Sequence, residues 1–226
     1  MSNTRPTDMS AANDPHAGQR VLQYGIRTTD ARLTAILLHG RGSSPEDILA
    51  LADQLAVADV AYIAPAAAGH TWYPQSFLAP LVDNEPALSS AMRVLEGLVD
   101  ALGGHGVSVE RLMIIGFSQG ACLGLEFAAR HTARYAGVVG LSGGLIGPAG
   151  TPRDYAGSLA RTPVFLGCSD IDPHIPLPRV HESAEVVHRL DGVVDERIYP
   201  GMGHTVNRDE IDAVRFLLGS TRGRGW

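Results

Sequence analysis

The 226-residue chain is 45% hydrophobic and 19% charged, a composition that predicts one globular domain with a substantial buried core. Its formal charge of -6 and its lack of a basic run exclude an evident binding surface for nucleic acid or for anionic membranes. Its two cysteines, Cys122 and Cys168, have no metal-ligand spacing and indicate neither a disulfide framework nor a zinc site.

The first segment of the chain, residues 1 to 18, is polar and has no apolar core of the kind that a signal peptide requires. No uncharged apolar stretch of the chain reaches the roughly 18 residues that a membrane span needs. These features predict a disordered tail over 1–18, a single domain over 19–226, no stable insertion into a membrane and a cytoplasmic location.

Short apolar runs alternate with longer amphipathic segments from residue 21 onward, a pattern typical of strands and helices in an α/β fold. The predicted strands are residues 21–27, 34–40, 60–65, 111–117, 136–142, 162–168 and 195–201. The predicted helices begin at 44 and 86 and cover 119–131, 179–190 and 207–218. The alternation predicts a mostly parallel central sheet with helices on both faces.

Only four residues, 28 to 31, separate the first two predicted strands, so no helix can cross between them. We therefore expect these two strands to form an antiparallel hairpin at the start of a mixed sheet. In such sheets the functional site lies at the carboxyl ends of the parallel strands. Chemistry is then expected at residues 39–44, 66–73, 117–120, 142–144, 168–176 and 201–206.

Ser118 lies at the end of a predicted strand and directly before a predicted helix, in the pattern G-x-S-x-G. A sharp turn from strand to helix exposes a nucleophilic serine and crowds the residues two before and two after it. Gly116 and Gly120 occupy those positions. The helix start also directs free N–H groups at an oxyanion, and the N–H of Gln119 is one expected donor.

A second G-x-S-x-G pattern, "GLSGG", places Ser142 at its centre after another predicted strand. The segment that follows, "LIGPAGTP", cannot continue as a helix. Ser142 is therefore predicted to be a structural loop residue, and Ser118 the nucleophile.

A serine nucleophile needs a base and an acid, which in this topology come late in the chain. Of nine histidines, only His204 lies on the loop between the last predicted strand and the last helix. Two carboxylates, Asp170 and Asp172, follow the preceding strand and are both candidates for the acid that orients the imidazole.

The chain resembles the phospholipase/carboxylesterase family of α/β-hydrolases in four segments that occur in the same order along the sequence. These are "LHGRG" (38–42), "GFSQGACLGLEFA" (116–128), "SDIDPHIP" (169–176) and "YPGMGH" (199–204). That family includes the acyl-protein thioesterases, and the resemblance extends over roughly residues 20–218. It implies an α/β-hydrolase fold. Its acid-bearing segment selects Asp172 as the catalytic carboxylate, and its loop after the second strand implies the backbone N–H of Arg41 as the second oxyanion donor.

The chain departs from the thioesterase pattern at two places. Arg41 stands where those members usually have an apolar residue, and the segment 69–80 lacks the aspartate that follows their tryptophan. The Arg41 side chain either attracts a carboxylate on the substrate or turns to solvent, or to Glu46 or Asp47. Three aromatic residues of the same segment are expected to wall the substrate pocket, with simple packing as the alternative: Trp72, Tyr73 and Phe77.

Together these features predict a serine carboxylesterase that hydrolyses esters of small to medium acyl chains through an acyl-enzyme, without metal or organic cofactor. An acyl-protein thioesterase or lysophospholipase is the nearest alternative. A ligand-binding protein on the same scaffold and a metal-dependent enzyme that uses some of the histidines are the more distant ones. The sequence leaves a homodimer open, with helix 207–218 or loop 69–86 as its surface.

Overall fold

A computed structural model describes residues 14–220 as seven β-strands and five α-helices, with short 3-10 turns between some of them. The strands are β1 (Val21–Gly25), β2 (Leu33–Leu38), β3 (Val60–Pro65), β4 (Leu112–Phe117), β5 (Gly137–Leu141), β6 (Pro163–Ser169) and β7 (Val193–Tyr199). The helices are α1 (Pro45–Leu55), α2 (Ala87–Gly104), α3 (Gln119–Arg130), α4 (Leu177–Arg189) and α5 (Arg208–Ser220).

The seven strands form one sheet in the order β1-β3-β2-β4-β5-β6-β7. All neighbouring pairs are parallel except β1 with β3. The sheet therefore carries one antiparallel strand at its N-terminal edge, and the predicted mostly parallel sheet is confirmed. The strand β3 lies on one side of β2 and β4 lies on the other, so β2 and β4 are neighbours near the centre of the sheet.

The predicted hairpin between β1 and β2 is wrong, because β1 pairs with β3 instead. Every residue of β2 is buried, whereas four of the five residues of β1 are exposed. A strand buried on both faces and at both edges needs two neighbours, and β2 has them in β3 and β4. The exposed strand β1 is left at the edge, where it needs only one partner.

Helices cover both faces of the sheet, and each face has its own apolar core. On one face, β-strand side chains pack with residues of α2, α3 and α4, among them Leu95, Leu123 and Val180. On the other face, they pack with residues of α1 and α5, among them Leu51 and Val214. The parallel strands are thus covered on both sides and present only their ends to solvent, where the loops that follow the strands come together.

The described chain begins with a turn at residues 14–18, in the segment predicted as a disordered tail. His16 in that turn is buried, its backbone N–H donates to Ser90 Oγ (2.9 Å), and its ring lies between the backbones of Ala68 and Trp72. These five residues therefore pack onto the domain; residues 1–13 and 221–226 lie outside the described part. Within residues 14–220 no helix is long and apolar enough to cross a membrane.

Candidate active site

Ser118 stands at the sharp turn between β4 and α3, at the carboxyl end of a central strand. Its backbone has φ 55° and ψ -120°, a left-handed conformation that is rare and strained for a residue with a side chain. The surrounding structure holds it there, since its N–H donates to Leu141 O (2.9 Å) and its carbonyl accepts from Cys122 N (3.0 Å). Strain of this kind is typical of functional sites.

The two glycines around Ser118 are required by close backbone approach. A Cβ at position 116 would overlap the carbonyl group of Gly120, and a Cβ at position 120 would overlap the carbonyl group of Leu38. The turn can form only where both residues lack side chains. The spacing of the motif therefore reflects the packing of the first turn of α3 against β2 and β4.

Three predicted residues from three separate loops come together at this turn. The Ser118 hydroxyl lies 2.8 Å from His204 Nε2, and His204 Nδ1 lies 2.7 Å from Asp172 Oδ2. Ser118 follows β4, Asp172 follows β6 and His204 follows β7. With Nδ1–H donating to the carboxylate, Nε2 is left as the acceptor for the serine proton, which is the arrangement that general-base catalysis needs.

The Asp172 side chain is fully buried and acts as an acceptor for several donors. Its Oδ1 accepts the backbone N–H groups of His174 (2.8 Å) and Ile175 (3.0 Å), while Oδ2 faces His204. Burial by itself raises the pKa of this carboxyl, but the hydrogen bonds from His204 and from the two N–H groups outweigh burial and lower the pKa overall. Asp172 therefore stays ionised beside the imidazole.

Asp170, the other candidate acid, lies on the same loop but faces elsewhere. It is exposed, and its Oδ1 accepts the backbone N–H of Gly201 (2.8 Å) on the loop that carries His204. The structure therefore separates the two carboxylates that the residues alone left open: Asp172 contacts the imidazole and Asp170 contacts the backbone behind it.

The two predicted oxyanion donors come from two separate elements, Arg41 from the loop after β2 and Gln119 from the first position of α3. Within residues 14–220, neither backbone N–H has a hydrogen-bond acceptor. Arg41, Gln119 and Ser118 line one cavity together. Two unused N–H groups and the positive end of a helix dipole beside a serine hydroxyl are suited to stabilise a negatively charged oxygen.

The Gln119 side chain, which is almost completely buried, fastens the loop after β3 to this site. Its Oε1 accepts the N–H of Trp72 (2.9 Å) and its Nε2 donates to the carbonyl of Tyr73 (2.8 Å). The amide thus binds the backbone on either side of the Trp72–Tyr73 pair, through the N–H of the first residue and the carbonyl of the second. The loop and the oxyanion donor are held in a fixed relation as a result.

A buried histidine, His39, supports the neighbouring loop that carries Arg41. Its Nδ1–H donates to Gly40 O (2.8 Å) and its Nε2 accepts the N–H of Ala67 (3.1 Å), so both ring nitrogens are used in the neutral form. Burial lowers its pKa, which favours that neutral form. His39 is one of the eight histidines that were not selected as the base, and here it is a supporting residue.

The Arg41 side chain bonds to neither of the two predicted carboxylate partners. Glu46 is bound by Arg20, and Asp47 closes the N-terminal capping box of α1 with Ser44. The Arg41 guanidinium instead donates to the carbonyls of residues 74 (2.9 Å) and 75 (2.5 Å). It joins the loop after β2 to the loop after β3.

The site opens into a cavity of about 520 Å³, which lies within the range of small-molecule pockets. Tyr73 and Phe77, two of the three aromatic residues expected in the wall of a substrate pocket, line it. Trp72 does not line it, and its predicted place in the pocket wall is wrong. The indole is completely buried behind the loop, where Nε1–H donates to His39 O (2.9 Å) and the ring packs between His16 and His39.

Nine further residues line the cavity that sequence reasoning did not select, among them Phe117, Cys122, His174 and Ile175. The rings of Phe117 and His174 both contact the His204 imidazole, with centroid distances of 5.0 and 4.8 Å. His174 lies two residues after Asp172, so its position beside the acid in "DPHIP" was the available signal. Phe117 is next to Ser118 and could have been inferred from the turn.

Ser142, at the centre of the second G-x-S-x-G pattern, lies apart from this cavity. It is completely buried and no helix follows it. As to metal sites, no group of three or more His, Cys, Asp or Glu side chains in the part of the chain that the structure describes is placed to hold an ion.

The His204 loop ends on a buried carboxyl group at the start of α5. Glu210 is fully buried; its Oε2 accepts the N–H of Asn207 (2.8 Å), while its own N–H donates to Asn207 Oδ1 (2.9 Å). Its Oε1 has no partner among the described residues and lies against Gly167. Burial raises the pKa of Glu210 to about 7.

We expect Glu210→Gln to stabilise the protein progressively as the pH rises. The folded state keeps the Glu210 proton up to about pH 7, whereas the unfolded chain releases it near the usual 4.5. Below pH 4.5 Glu210 is protonated in both states and does not lower the free energy of unfolding of the wild type. As the pH rises from there through 7, that free energy falls by on the order of 3 kcal/mol. Glutamine is neutral throughout, so the variant shows no such loss.

Urea unfolding at pH 5 and pH 8 measures this difference. The free energy of unfolding of Glu210→Gln should gain on that of the wild type between the two pH values. The exposed Glu185→Gln serves as the control, for which no gain is expected. Parallel pH dependence of Glu210→Gln and wild type would contradict the prediction.

Comparison with known proteins places this geometry in a family. The family model described as phospholipase/carboxylesterase matches residues 27–220. A crystal structure of a phospholipase/carboxylesterase from Dyadobacter fermentans is 36% identical, with a TM-score of 0.86 over 90% of this chain and 97% of that one. A carboxylesterase from Bacillus cereus, 16% identical with a TM-score of 0.72 over 95% of this chain and 100% of that one, has the same fold.

Curated relatives from fungi are similar over part or nearly all of their length. An acyl-protein thioesterase 1 of Gibberella zeae is 30% identical over 61% of this chain, and the match spans 60% of that protein. An acyl-protein thioesterase 1 of Saccharomyces cerevisiae is 28% identical over 87% of this chain and 96% of its own length. The match of the family model over most of the chain confirms the resemblance inferred from the four motifs: the chain belongs to the phospholipase/carboxylesterase family of α/β-hydrolases.

Proposed function

We propose that this α/β-hydrolase is a serine carboxylesterase in which Ser118 is the nucleophile, His204 the general base and Asp172 the acid that orients it. The observation that carries the proposal is the continuous hydrogen-bonded chain from Ser118 Oγ through His204 to Asp172. Family membership supports the reaction class, since esters and thioesters are cleaved by the same acyl transfer.

In the first half of the proposed reaction, Ser118 Oγ attacks the ester carbonyl carbon while its proton passes to His204 Nε2. Asp172 stabilises the imidazolium that forms. The carbonyl oxygen becomes an oxyanion and accepts the N–H groups of Arg41 and Gln119. The tetrahedral intermediate then collapses, the alcohol leaves with the proton from His204, and an acyl-Ser118 ester remains.

In the second half, water enters the same site and His204 removes its proton. The water oxygen attacks the acyl carbon, and the carboxylic acid leaves as Ser118 regains its proton from His204. Every step uses side chains and backbone groups of this chain, and none of them calls on a metal or an organic cofactor.

The cavity supports acyl groups of small to medium size. Its volume of about 520 Å³ accommodates a short chain, and Tyr73 and Phe77 supply apolar walls. Thioesters are the second candidate substrates, because the fungal relatives are named acyl-protein thioesterases. A sulfur leaving group needs no additional residue in the mechanism.

Active-site labelling tests the proposal directly. A fluorophosphonate should modify one residue per chain, and mass spectrometry should locate the adduct on Ser118, because only an activated serine attacks this reagent readily. A p-nitrophenyl ester should give a burst of one equivalent of nitrophenol before steady turnover if deacylation is the slower half. Unfolded protein, the control, should remain unlabelled.

Other outcomes would favour the other classes of protein. Labelling elsewhere, or activity that is lost on chelation and restored by metal, would contradict the serine mechanism. Tight retention of an intact ester without turnover would favour a ligand-binding protein. Rates for matched p-nitrophenyl esters and acyl-thioesters of increasing chain length decide between the carboxylesterase and thioesterase functions.

We further propose a cytoplasmic location and a homodimer. Both cysteines are buried free thiols, which fits a reducing compartment. Phe216 on α5 is a large apolar side chain that is 62% exposed, which supports the helix 207–218 as the contact surface of a dimer. Sedimentation of the wild type and of Phe216→Ser tests the homodimer, because the proposed contact surface predicts a smaller dimer fraction in the variant.

A further inference from the structure

We propose that the Arg41 side chain is a binding point for an anionic group, so that this enzyme prefers esters whose acyl chain ends in a carboxylate. The inference rests on the proposed function, because it names the substrate class of the same site. It begins from the position of one residue: Arg41 lines the cavity, its backbone N–H is the proposed oxyanion donor, and its guanidinium donates to the carbonyls of two other lining residues, Pro74 and Gln75. A charged group of the substrate can thus meet the guanidinium within one side-chain length of the scissile carbonyl.

The charge of Arg41 is not neutralised by a carboxylate within residues 14–220. Both acidic side chains near it in the sequence are engaged elsewhere, Glu46 with Arg20 and Asp47 with the N-terminus of α1. The only hydrogen-bond partners of the guanidinium in the described chain are two neutral carbonyls. An arginine at a cavity whose charge no carboxylate neutralises leaves a positive potential there, which favours an anionic ligand.

The rest of the cavity lining has the matching electrostatic character. It contains hydroxyl, amide and imidazole groups but no Asp or Glu among the described residues, since Asp172 lies behind His204 and does not line it. The positive end of α3 also points into this space. Aromatic walls of low polarity strengthen the field of the guanidinium in such a cleft.

The guanidinium is held in a fixed orientation while donors remain unused. Two of its N–H groups donate hydrogen bonds to the carbonyls of Pro74 and Gln75, and the Arg41 Cζ atom lies 6.0 Å from the centre of the Tyr73 ring. An arginine has five N–H donors, so three remain for a ligand. A planar donor group that is already held in place loses little side-chain freedom when it binds a carboxylate. A mobile lysine would lose more.

A matched pair of substrates tests the inference. Mono-p-nitrophenyl adipate carries a terminal carboxylate, and p-nitrophenyl heptanoate is a neutral ester of similar length. The measured quantity is the kcat/KM for the adipate ester divided by the kcat/KM for the heptanoate ester, each corrected for spontaneous hydrolysis. In Arg41→Gln the ratio should fall about five-fold relative to wild type, the scale of a partly exposed charge pair. High salt should lower the ratio in the wild type as well.

The control is Arg27→Gln, which removes the same charge from an exposed arginine paired with Asp30 in the loop between β1 and β2. Its ratio should equal that of the wild type. If Arg41→Gln lowers kcat/KM equally for both esters, the guanidinium only holds the loop at residues 74 and 75 and the inference is overturned.

A binding measurement separates this inference from the proposed function. Calorimetric titration of adipate into the wild type and into Arg41→Gln needs no turnover, and binding should weaken about five-fold in the variant. Equal affinities would overturn the inference even if esters are hydrolysed. Weaker binding in the variant without hydrolysis of either ester would support it while contradicting the carboxylesterase mechanism.

Discussion

Ser118→Ala is expected to lower kcat for p-nitrophenyl esters by about ten-thousand-fold or more, because it removes the atom that forms the acyl-enzyme. The substitution deletes one hydroxyl and leaves the Cβ, so the turn between β4 and α3 and its hydrogen bonds to Leu141 and Cys122 should persist. Some rate above that of water remains, since the N–H groups of Arg41 and Gln119 still face the carbonyl oxygen. The nitrophenol burst should disappear with the nucleophile.

The chain offers a matched control in Ser142→Ala. Ser142 also stands at the centre of a G-x-S-x-G pattern and has a left-handed backbone, with φ 52°. Its side chain is buried away from the cavity, so the variant should keep most of the activity. Initial rates and circular dichroism on both variants make the comparison. A Ser118→Ala protein that hydrolyses esters as fast as the wild type would refute the proposed nucleophile.

Asp172→Asn is expected to lower kcat by a hundred-fold or more, the second largest effect. Asparagine can still accept the N–H groups of His174 and Ile175 through its carbonyl oxygen, so the loop should keep its form. Its NH₂ group then faces His204 Nδ1 and requires that nitrogen to be an acceptor. The imidazole proton moves to Nε2, where it blocks the transfer of the Ser118 proton.

The effect should depend on the substituted acid and not on the loop as a whole. In Asp170→Asn the new side chain keeps the acceptor for the Gly201 N–H, and its contact lies behind the imidazole, so kcat should change by no more than a few-fold. Steady-state rates from pH 6 to 9 on both variants make the test. A larger loss at Asp170 than at Asp172 would reverse the assignment of the acid.

The places in the chain where the proposed nucleophile, base and acid occur follow from local order along the sequence, and the choice of Asp172 over Asp170 came from the family resemblance. Ser118 lies between a strand and a helix with a glycine two residues to each side, and the glycines are required by backbone contacts within that turn and with β2. His204 follows the last strand and Asp172 the one before it. Parallel strands bring their carboxyl ends to the same edge, so residues at those ends meet whatever lies between them.

Other features could not be predicted because long-range contacts decide them. The position of β1 depends on which strands β2 needs as neighbours, and the loop length suggested a hairpin that does not form. Trp72 is an aromatic residue in a pocket loop, yet its indole packs inward on His16, which is 56 residues away. The partner of Arg41 is likewise a pair of carbonyls more than 30 residues ahead and not a nearby carboxylate.

The sequence by itself thus determined the fold class, the family and the places in the chain where reactive groups occur, because strand and helix periodicity and glycine spacing are local properties. Only the tertiary structure decided which aromatic rings reach the cavity and that the Arg41 guanidinium bonds to two carbonyls beside it, without a carboxylate partner among residues 14–220. Those outcomes depend on the directions in which side chains on separate loops point once the sheet has assembled. The orientation of each such side chain is set by packing against residues distant in the chain, and the hydrophobic periodicity of the sequence does not predict it.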